Sequence, residues 1–483
     1  GGSATLGGVV RAGGLTKIGA GNLTLSGNNS YSGVTTVSEG TLTVGHNAAL
    51  GSTDGGTIVQ DGATLAFADG FTTGENITIS GSGVSGAGAL RALRNLATLT
   101  QQVTLAGAST IATDGAIFDL QGGIAGNFDL TLNTGTGGIA ISSGLDIGDG
   151  SLTVEGSGTV ALQQTNSFTG DVTVNGGTLQ LGSGPGTDYD TIGDTARVTL
   201  NANGTLDLAQ GSEAIGSLAG SGIVRASFNG TLVVGGDNSS TTFSGGLWDG
   251  TNGVLALTKT GTGNLTLSGA SNNTGTITIA EGTLTVASQN ALGALAGGTI
   301  VQDGATLALT TNLGLGEAFT ISGTGVSGTG ALHNVSGYTT SSGEITLASA
   351  STISADNGST LNLWGRISGA HDLTLQGGGR IGLRGDLAIG DGTLTINGAS
   401  VDLESGNSFT GDVVMNSGLL EIDALGASTI DDQARLTVNG GEVVLWQNET
   451  IGSLAGTGGT IRATGTRALT VGGDNTSTSF GGT

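Results

Sequence analysis

The chain has 483 residues, of which 97 are glycine, one is proline and none is cysteine, and its 37 acidic against 13 basic residues give a formal net charge of −24. A collagen helix is excluded because it needs glycine at every third residue and abundant proline. Disorder is disfavoured because 36% of the residues are hydrophobic, whereas unfolded chains combine low hydrophobicity with high net charge. The negative charge disfavours nucleic acid and anionic membranes as partners. The lack of cysteine excludes disulfides and cysteine-ligated metals.

Two long stretches of the chain are near-copies of each other. LTKIGAGNLTLSG, which begins at Leu15, returns at Leu257 as LTKTGTGNLTLSG, an offset of 242 residues. NSFTGDV, which begins at Asn166, returns at Asn407, an offset of 241 residues. Repetition of this kind is typical of proteins in which one structural unit stacks on the next.

Within both copies, short segments alternate apolar and polar residues. This alternation indicates strands with one buried face, and threonine suits the other face of a strand. Gly-Asn, Asn-Gly, Asp-Gly and Ser-Gly pairs lie between the segments and supply the backbone conformations of tight turns. In chain order, the predicted strands include residues 23–25, 42–44, 77–79, 130–132, 152–154, 172–174 and 373–375.

Short strands, frequent turns and no helical segments predict an all-β fold, a parallel β-solenoid. Coils of about 20–24 residues would stack at a spacing of about 4.8 Å, because one coil cannot bury its own apolar face. We expect a single elongated rod on the order of 100 Å long. Its predicted parts are the end of a preceding repeat unit (1–14), solenoid repeat unit 1 (15–256) and solenoid repeat unit 2 (257–483), so that the sequence is a fragment of a longer chain.

The apolar residues of the strands are expected to point inward. In successive coils they would stack as ladders along the solenoid axis, and these ladders would form its core. The structural residues predicted in the two copies are Leu23, Leu25, Leu42, Val44, Leu265, Leu267, Leu284 and Val286.

One repeated motif resembles a known family. Residues 257–286, which begin LTKTGTGNLTLSG and end TITIAEGTLTV, are similar to the autotransporter-associated β-strand repeat, also called the passenger-associated transport repeat. Residues 28–44, NNSYSGVTTVSEGTLTV, match its Asn-x-Tyr-x-Gly-x-Thr-x-Val form, and the second copy has lost the aromatic residue at 272–275. The resemblance implies a right-handed parallel β-helix on the outside of a Gram-negative cell. It also implies anchoring in the outer membrane through a region outside this chain.

No residue is predicted to be catalytic or to bind a cofactor. The chain has three histidines, at His46, His333 and His371. His46 aligns with Ser288 and His333 with Arg91, so the two copies do not share them. We interpret them as solvated turn residues and predict that the chain is not an enzyme.

Several aspartates recur in both copies, most of them in Asp-Gly or Gly-Asp turns. Aspartate suits such turns because its side chain caps its own backbone. The alternative is Ca²⁺, which takes six to eight oxygen ligands. Asp149 and Asp391 are the nearest candidates, although they lack the tandem glycine-rich nonapeptides of calcium-binding solenoids. Apart from this calcium alternative, we predict no metal and no cofactor.

The chain has three tryptophans, Trp248, Trp364 and Trp446. Exposed tryptophan can stack on sugars, whereas packing at a corner or edge of the solenoid is the structural alternative. We favour the structural alternative because aromatic residues make up only 3% of the chain.

These observations predict a structural or adhesive extracellular stalk or fibre of a Gram-negative bacterium. It would extend from the cell surface and mediate attachment or cell–cell contact. Its predicted partners are copies of itself, associating laterally or end to end, or the surface of a host or neighbouring cell. Two alternatives stay open. One is a glycan- or matrix-binding module. The other is a polysaccharide-degrading β-helix enzyme, in which acidic residues of adjacent coils would form a site that the two units do not share.

Overall fold

The structure, a computed structural model, describes residues 2–11, 13–182, 191–209, 211–404, 406–423 and 429–483. These residues form β-strands and two 3₁₀ turns, Val84–Gly86 and Val326–Gly328, which are equivalent in the two copies. In this part of the chain, the structure contains no helix of the length and apolar character needed to cross a membrane. The predicted all-β class is confirmed.

The chain forms two compact units. Unit 1 comprises Gly1–Asp237 and Ser244–Leu255, and unit 2 comprises Asn238–Phe243 and Ala256–Thr483.

Most of the strands are short, as the spacing of the turn residues predicts. Strands β1 to β27 are β1 (Ser3–Leu6), β2 (Leu15–Lys17), β3 (Asn22–Leu25), β4 (Thr35–Val37), β5 (Thr41–Val44), β6 (Thr57–Val59), β7 (Thr64–Phe67), β8 (Thr72–Thr73), β9 (Ile77–Gly81), β10 (Leu90–Ala92), β11 (Leu96–Leu99), β12 (Val103–Thr113), β13 (Ile117–Leu120), β14 (Ile124–Ala125), β15 (Leu130–Asn133), β16 (Gly138–Ile141), β17 (Leu145–Asp146), β18 (Leu152–Glu155), β19 (Thr159–Leu162), β20 (Val172–Leu181), β21 (Arg197–Leu208), β22 (Gly211–Ile215), β23 (Ser217–Gly220), β24 (Ile223–Ala226), β25 (Gly230–Val234), β26 (Thr241–Phe243) and β27 (Gly246–Asp249).

The remaining strands follow the same pattern. They are β28 (Leu255–Lys259), β29 (Asn264–Leu267), β30 (Ile277–Ile279), β31 (Thr283–Val286), β32 (Thr299–Val301), β33 (Thr306–Leu309), β34 (Gly314–Leu315), β35 (Phe319–Gly323), β36 (Leu332–Asn334), β37 (Tyr338–Ser341), β38 (Ile345–Ala355), β39 (Thr360–Leu363), β40 (Ile367–Ser368), β41 (Leu373–Gly377), β42 (Arg380–Leu383), β43 (Leu387–Ala388), β44 (Leu394–Leu403), β45 (Val413–Ile422), β46 (Arg435–Val438), β47 (Glu442–Leu445), β48 (Glu449–Ile451), β49 (Ser453–Ala455), β50 (Thr460–Ala463) and β51 (Leu469–Val471).

Within each unit the strands of successive coils pair in parallel and form three ladders, one on each side of the coil. In unit 1, ladder A runs through β3, β5, β7, β10, β12, β15 and β18. Ladder B runs through β4, β6, β9, β12, β14 and β17. Ladder C runs through β8, β11, β13, β16, β19 and β20.

Unit 2 repeats this arrangement. Its ladder A includes β29, β31, β33, β36, β38, β41 and β44. Its ladder B includes β30, β32, β35, β38, β40 and β43. Its ladder C includes β34, β37, β39, β42, β44, β45, β47 and β50. The predicted parallel β-solenoid is therefore present in both units.

The core of each unit lies inside the coils. Leu130 pairs with Leu152, 22 residues further along, and Leu152 pairs with Val172, 20 residues further along, so the coil length agrees with the prediction. These three residues are fully buried. Phe67 and Phe118 extend the core of unit 1, with ring centroids 5.7 Å apart. Outward positions of the same strands face solvent, which leaves them free to carry other chemistry.

Candidate functional site

The predicted structural residues lie on ladder A. Leu23 is half-buried. The other seven are buried, namely Leu25, Leu42, Val44, Leu265, Leu267, Leu284 and Val286. In unit 1, Leu25 pairs with Val44 in the next coil. In unit 2, Leu267 pairs with Val286 in the same way.

The copies of the motif at 15–44 and 257–286 each contain a buried lysine that caps backbone carbonyls. Lys259 is 1% exposed, and its Nζ donates to the carbonyl oxygens of Thr260 at 2.6 Å, Gly261 at 2.8 Å and Glu281 at 3.3 Å. Since Glu281 belongs to the next coil, this lysine ties two coils together. We call this arrangement the lysine clasp.

Unit 1 has the same clasp at Lys17, whose Nζ donates to the carbonyl oxygens of Ile18, Gly19 and Glu39. Burial lowers the pKa of Lys259 to about 8. Sequence reasoning missed the clasp because an isolated lysine is ordinarily exposed. The recurrence of Leu-Thr-Lys in both copies was the available signal.

A glycine that follows Glu in the motif is required by close approach of the next coil. Gly282 has φ of +67°, and a Cβ on it would lie 2.4 Å from the carbonyl oxygen of Gly261. Gly40 has the same conformation, with φ of +66° and 2.5 Å to the carbonyl oxygen of Gly19. Only glycine fits such a position without strain.

The two calcium candidates lie in exposed turns. In the first, Gly150 N–H donates to the carbonyl of Ile147 across Asp149. In the second, Gly392 N–H donates to the carbonyl of Ile389 across Asp391. Both aspartates therefore occupy tight turns. Among the described residues, no group of three or more His, Asp or Glu side chains is placed to hold a metal ion.

The three histidines lie apart from one another, in separate surroundings. His46 accepts a hydrogen bond from Ala48 N–H at Nδ1. His333 is not the solvated turn residue that was predicted, because it lies in strand β36 with its side chain largely buried and its Nε2 3.0 Å from Asp356 Oδ1. His371 is exposed.

All three tryptophans are partly exposed, and two of them flank one surface of unit 2. Trp364 follows β39 and is 56% exposed, whereas Trp446 follows β47 and is 45% exposed. Both strands belong to ladder C. Trp248 of unit 1 is 42% exposed.

Between these two tryptophans, outward side chains of ladder C enclose a cleft of about 220 Å³. We call it the ladder C cleft. Its lining residues are Arg380, Asp402, Glu404, Glu421, Asp423 and Trp446. Strand register brings them together, because β42 pairs with β44, β44 with β45 and β45 with β47.

The buried group of the cleft is Asp402, whose side chain is 3% exposed. Arg380 Nε donates to its Oδ2 at 2.5 Å, and among the described residues no N–H or hydroxyl donor reaches its Oδ1. Burial, together with the neighbouring Glu421 carboxyl, raises the pKa of Asp402 to about 6, although Arg380 opposes this shift. A buried carboxylate oxygen without a donor is costly, and a ligand that donates a hydrogen bond would offset that cost.

Glu421 lies opposite Asp402 in the next coil. Its Oε1 accepts a hydrogen bond from Trp446 Nε1 at 3.1 Å, and its Oε2 lies 3.5 Å from a terminal nitrogen of Arg380. These contacts fix one edge of the Trp446 ring beside the carboxylates. Asp423, two residues further along, is exposed.

On the side of the cleft towards Trp364, Arg384 joins the tryptophan to the acidic groups. Its guanidinium carbon lies 5.3 Å from the centre of the Trp364 ring, a cation–π arrangement. The same guanidinium donates to Glu404 and, through Nε at 3.2 Å, to Asn362 Oδ1.

Unit 1 lacks this set of side chains. Unit 1 has Gly138, Ala161, Gln180 and Ala209 at the positions that correspond to Arg380, Asp402, Glu421 and Trp446. The acidic residues of the cleft are therefore particular to unit 2. Sequence reasoning missed the cleft because its members lie about 20 residues apart and share no local motif.

Comparison with known proteins identifies the repeated motif. The Passenger-associated-transport-repeat family matches residues 15–44, 152–181 and 257–286. The Adhesin BmaC autotransporter of Brucella suis biovar 1 (strain 1330) is 30% identical over 485 residues, which cover 92% of this chain. The chain spans 13% of the length of that relative. No solved structure matches the chain.

The three matched segments share one geometry, in which two adjacent coils place their apolar residues on neighbouring ladders. Each segment begins on a strand, β2, β18 or β28, and ends on a strand of the next coil. Residues 394–422, formed by β44 and β45, have the same coil arrangement as residues 152–181.

The fold and the repeats together define a class of protein, a parallel β-solenoid that carries passenger-associated transport repeats. The recognition made from the sequence, a passenger with passenger-associated transport repeats, is confirmed by the three matches and by the adhesin relative. An extracellular or cell-surface location follows from this class.

Proposed function

We propose that the chain is part of an adhesive extracellular stalk that mediates attachment or cell–cell contact. The observation that carries the proposal is the solenoid with passenger repeats in both units. Backbone pairing and buried ladders hold the coils, so outward side chains are available for contact with a partner. The relative's description as an adhesin supports the same function.

The proposed partners are the surface of a host or neighbouring cell and further copies of this chain. We also propose that a region outside this chain anchors it in the outer membrane, and that the chain acts by binding and not by catalysis. The net charge of −24 means that lateral association between copies has to overcome mutual repulsion, which salt screens.

Adhesion can be tested with the purified chain coupled to fluorescent beads. Beads that carry an unrelated acidic β-rich protein at the same density are the control. We expect the coated beads to attach to bacterial or host cell layers, or to one another, several times more than the control beads do. We also expect the attachment of coated beads to one another to increase with salt, because salt screens the repulsion between their negative charges. Attachment equal to that of the control in every combination would contradict the proposed function.

Catalysis is measured separately. The same preparation is incubated with neutral and acidic polysaccharides, and new reducing ends are counted. The proposal expects none above the background of the heat-unfolded chain. Steady release of reducing ends would instead support the enzyme alternative.

A further inference from the structure

We propose that the ladder C cleft binds a saccharide that carries protonated amino groups. Sugar rings would stack on the exposed faces of Trp364 and Trp446. The amino groups would face the carboxylates between them. This inference depends on the proposed adhesive function for its biological use, but the binding itself is a property of the cleft.

The charges of the cleft favour a cationic ligand. Its carboxylates belong to Asp402, Glu404, Glu421 and Asp423. Two arginines face them, since Arg380 contacts Asp402 and Glu421, and Arg384 contacts Glu404. The carboxylates therefore outnumber the guanidinium groups, and an ammonium group is complementary to that excess.

The buried Asp402 is the second, independent indication of a ligand. Its side chain is 3% exposed and lines the cleft, yet among the described residues no N–H or hydroxyl donor reaches its Oδ1, and the facing Glu421 carboxyl can donate only when it is protonated. A bound amine or hydroxyl would supply the missing donor. A metal ion is a poorer candidate, because among the described residues no three carboxylates or imidazoles converge as ligands.

The tryptophans indicate that the ligand has rings with apolar faces. Four ladder steps separate β39 from β47, through β42, β44 and β45. At about 4.8 Å a step, Trp364 and Trp446 lie roughly 19 Å apart along the ladder. A short oligosaccharide spans such a distance, and partly exposed aromatic rings bury its sugar faces at low entropic cost.

The test uses the whole chain and three probes near neutral pH, measured by calorimetry. The probes are a glucosamine hexamer, its fully N-acetylated counterpart and a lysine hexapeptide. The first has rings and charge, the second has rings alone and the third has charge alone. We expect the glucosamine hexamer to bind at least about tenfold more tightly than either comparison probe, since both interactions contribute.

Variants locate the binding. Trp446→Ala is expected to weaken glucosamine hexamer binding about tenfold, whereas Trp446→Phe, which retains a ring, loses less. Trp248→Ala is the matched control, because this tryptophan of unit 1 has similar exposure and lies beside an arginine–aspartate pair, Arg225 and Asp207, but outside the ladder C cleft; it is expected to bind like the parent chain. The double variant Glu404→Gln, Asp423→Asn removes two negative charges from the cleft. It is compared with the double variant Asp149→Asn, Asp391→Asn, which removes two negative charges elsewhere on the chain.

The outcomes separate the alternatives. Equal binding of the lysine hexapeptide would overturn the saccharide and indicate a site for basic peptides. Equal binding of the N-acetylated hexamer would overturn the requirement for charge. Equal loss on the Asp149 and Asp391 control would show that binding reflects the charge of the whole chain. If the coated beads fail to attach but the glucosamine hexamer still binds, the proposed adhesive function is contradicted and the inference about the cleft is retained.

Discussion

Arg380 and Asp402 form an ion pair between neighbouring coils of unit 2, with Arg380 Nε 2.5 Å from Asp402 Oδ2. The aspartate is buried, while the arginine side chain is 49% exposed. At the corresponding positions of unit 1, Gly138 and Ala161 carry no charge. The same backbone therefore supports either a charged pair or none.

Arg380→Ala is expected to destabilise unit 2, because it leaves the Asp402 carboxylate buried without a donor. The loss is about 1–2 kcal/mol, since the arginine is half exposed to solvent. The pKa of Asp402 is about 6, so the loss should shrink at pH values below this, where Asp402 is protonated in both proteins. Urea unfolding at acidic and alkaline pH measures both effects.

The double variant Arg380→Gly, Asp402→Ala copies the residues of unit 1 and is the control. It is expected to be close to the parent chain in stability. A double variant as unstable as Arg380→Ala would show that the arginine stabilises the coil by a route other than Asp402.

Glu317 gives a second pH-dependent prediction. It is 4% exposed, Thr299 Oγ1 donates to its Oε1 at 2.8 Å, and burial raises its pKa from 4.5 to about 7. The folded state therefore binds more protons than the unfolded state between these pKa values. Stability should fall as the pH rises through that window, by on the order of 2–3 kcal/mol.

Glu317→Gln keeps an acceptor for Thr299 and cannot ionise. Its melting temperature should change less between pH 4.5 and 7 than that of the parent chain, and it should be the more stable protein above this range. Glu344→Gln, in an exposed residue, is expected to retain the parent pH dependence. An unchanged pH dependence in Glu317→Gln would contradict the assignment.

The lysine clasp predicts a stability effect in each unit. Lys259→Met retains most of the apolar stem but leaves the carbonyls of Thr260, Gly261 and Glu281 without this donor. We expect a loss of about 2 kcal/mol, measured as a shift of the urea midpoint. Lys17→Met should have a similar effect in unit 1. No shift in either variant would mean that water replaces the ammonium group at no cost.

Gly282→Ala is expected to cost at least about 1–3 kcal/mol, because the added Cβ adopts an unfavourable φ and meets a backbone carbonyl. Gly304 has φ of +81° but no heavy atom within 4 Å of a Cβ placed on it. Gly304→Ala is therefore expected to cost only about 1 kcal/mol. Thermal unfolding of the two variants compares their losses of stability. The difference between these losses measures the effect of the carbonyl contact at Gly282 beyond the strain of a positive φ, which both positions share. Equal losses would show that close approach contributes nothing.

The sequence predicted the coils because their signal is local. Leu-Thr-Leu and Leu-Thr-Val segments mark inward and outward positions within four residues, so residues such as Leu42 and Val44 were recognisable without the structure. The lysine clasp was not predicted, because lysine is ordinarily a surface residue and the carbonyls that surround it are brought together only by the fold. The cleft was not predicted because Arg380, Asp402 and Glu421 become neighbours only through the register of successive coils.

Inward residues and backbone pairing are common to all the coils, whereas the outward residues differ from coil to coil. The two units can therefore carry different surface chemistry on the same coil architecture. At four corresponding positions, the two units differ: unit 1 has Gly138, Ala161, Gln180 and Ala209, whereas the cleft of unit 2 has Arg380, Asp402, Glu421 and Trp446. In a solenoid of this kind, a recognition surface can change by substitution of the outward residues of a few neighbouring coils, while the coil architecture stays the same.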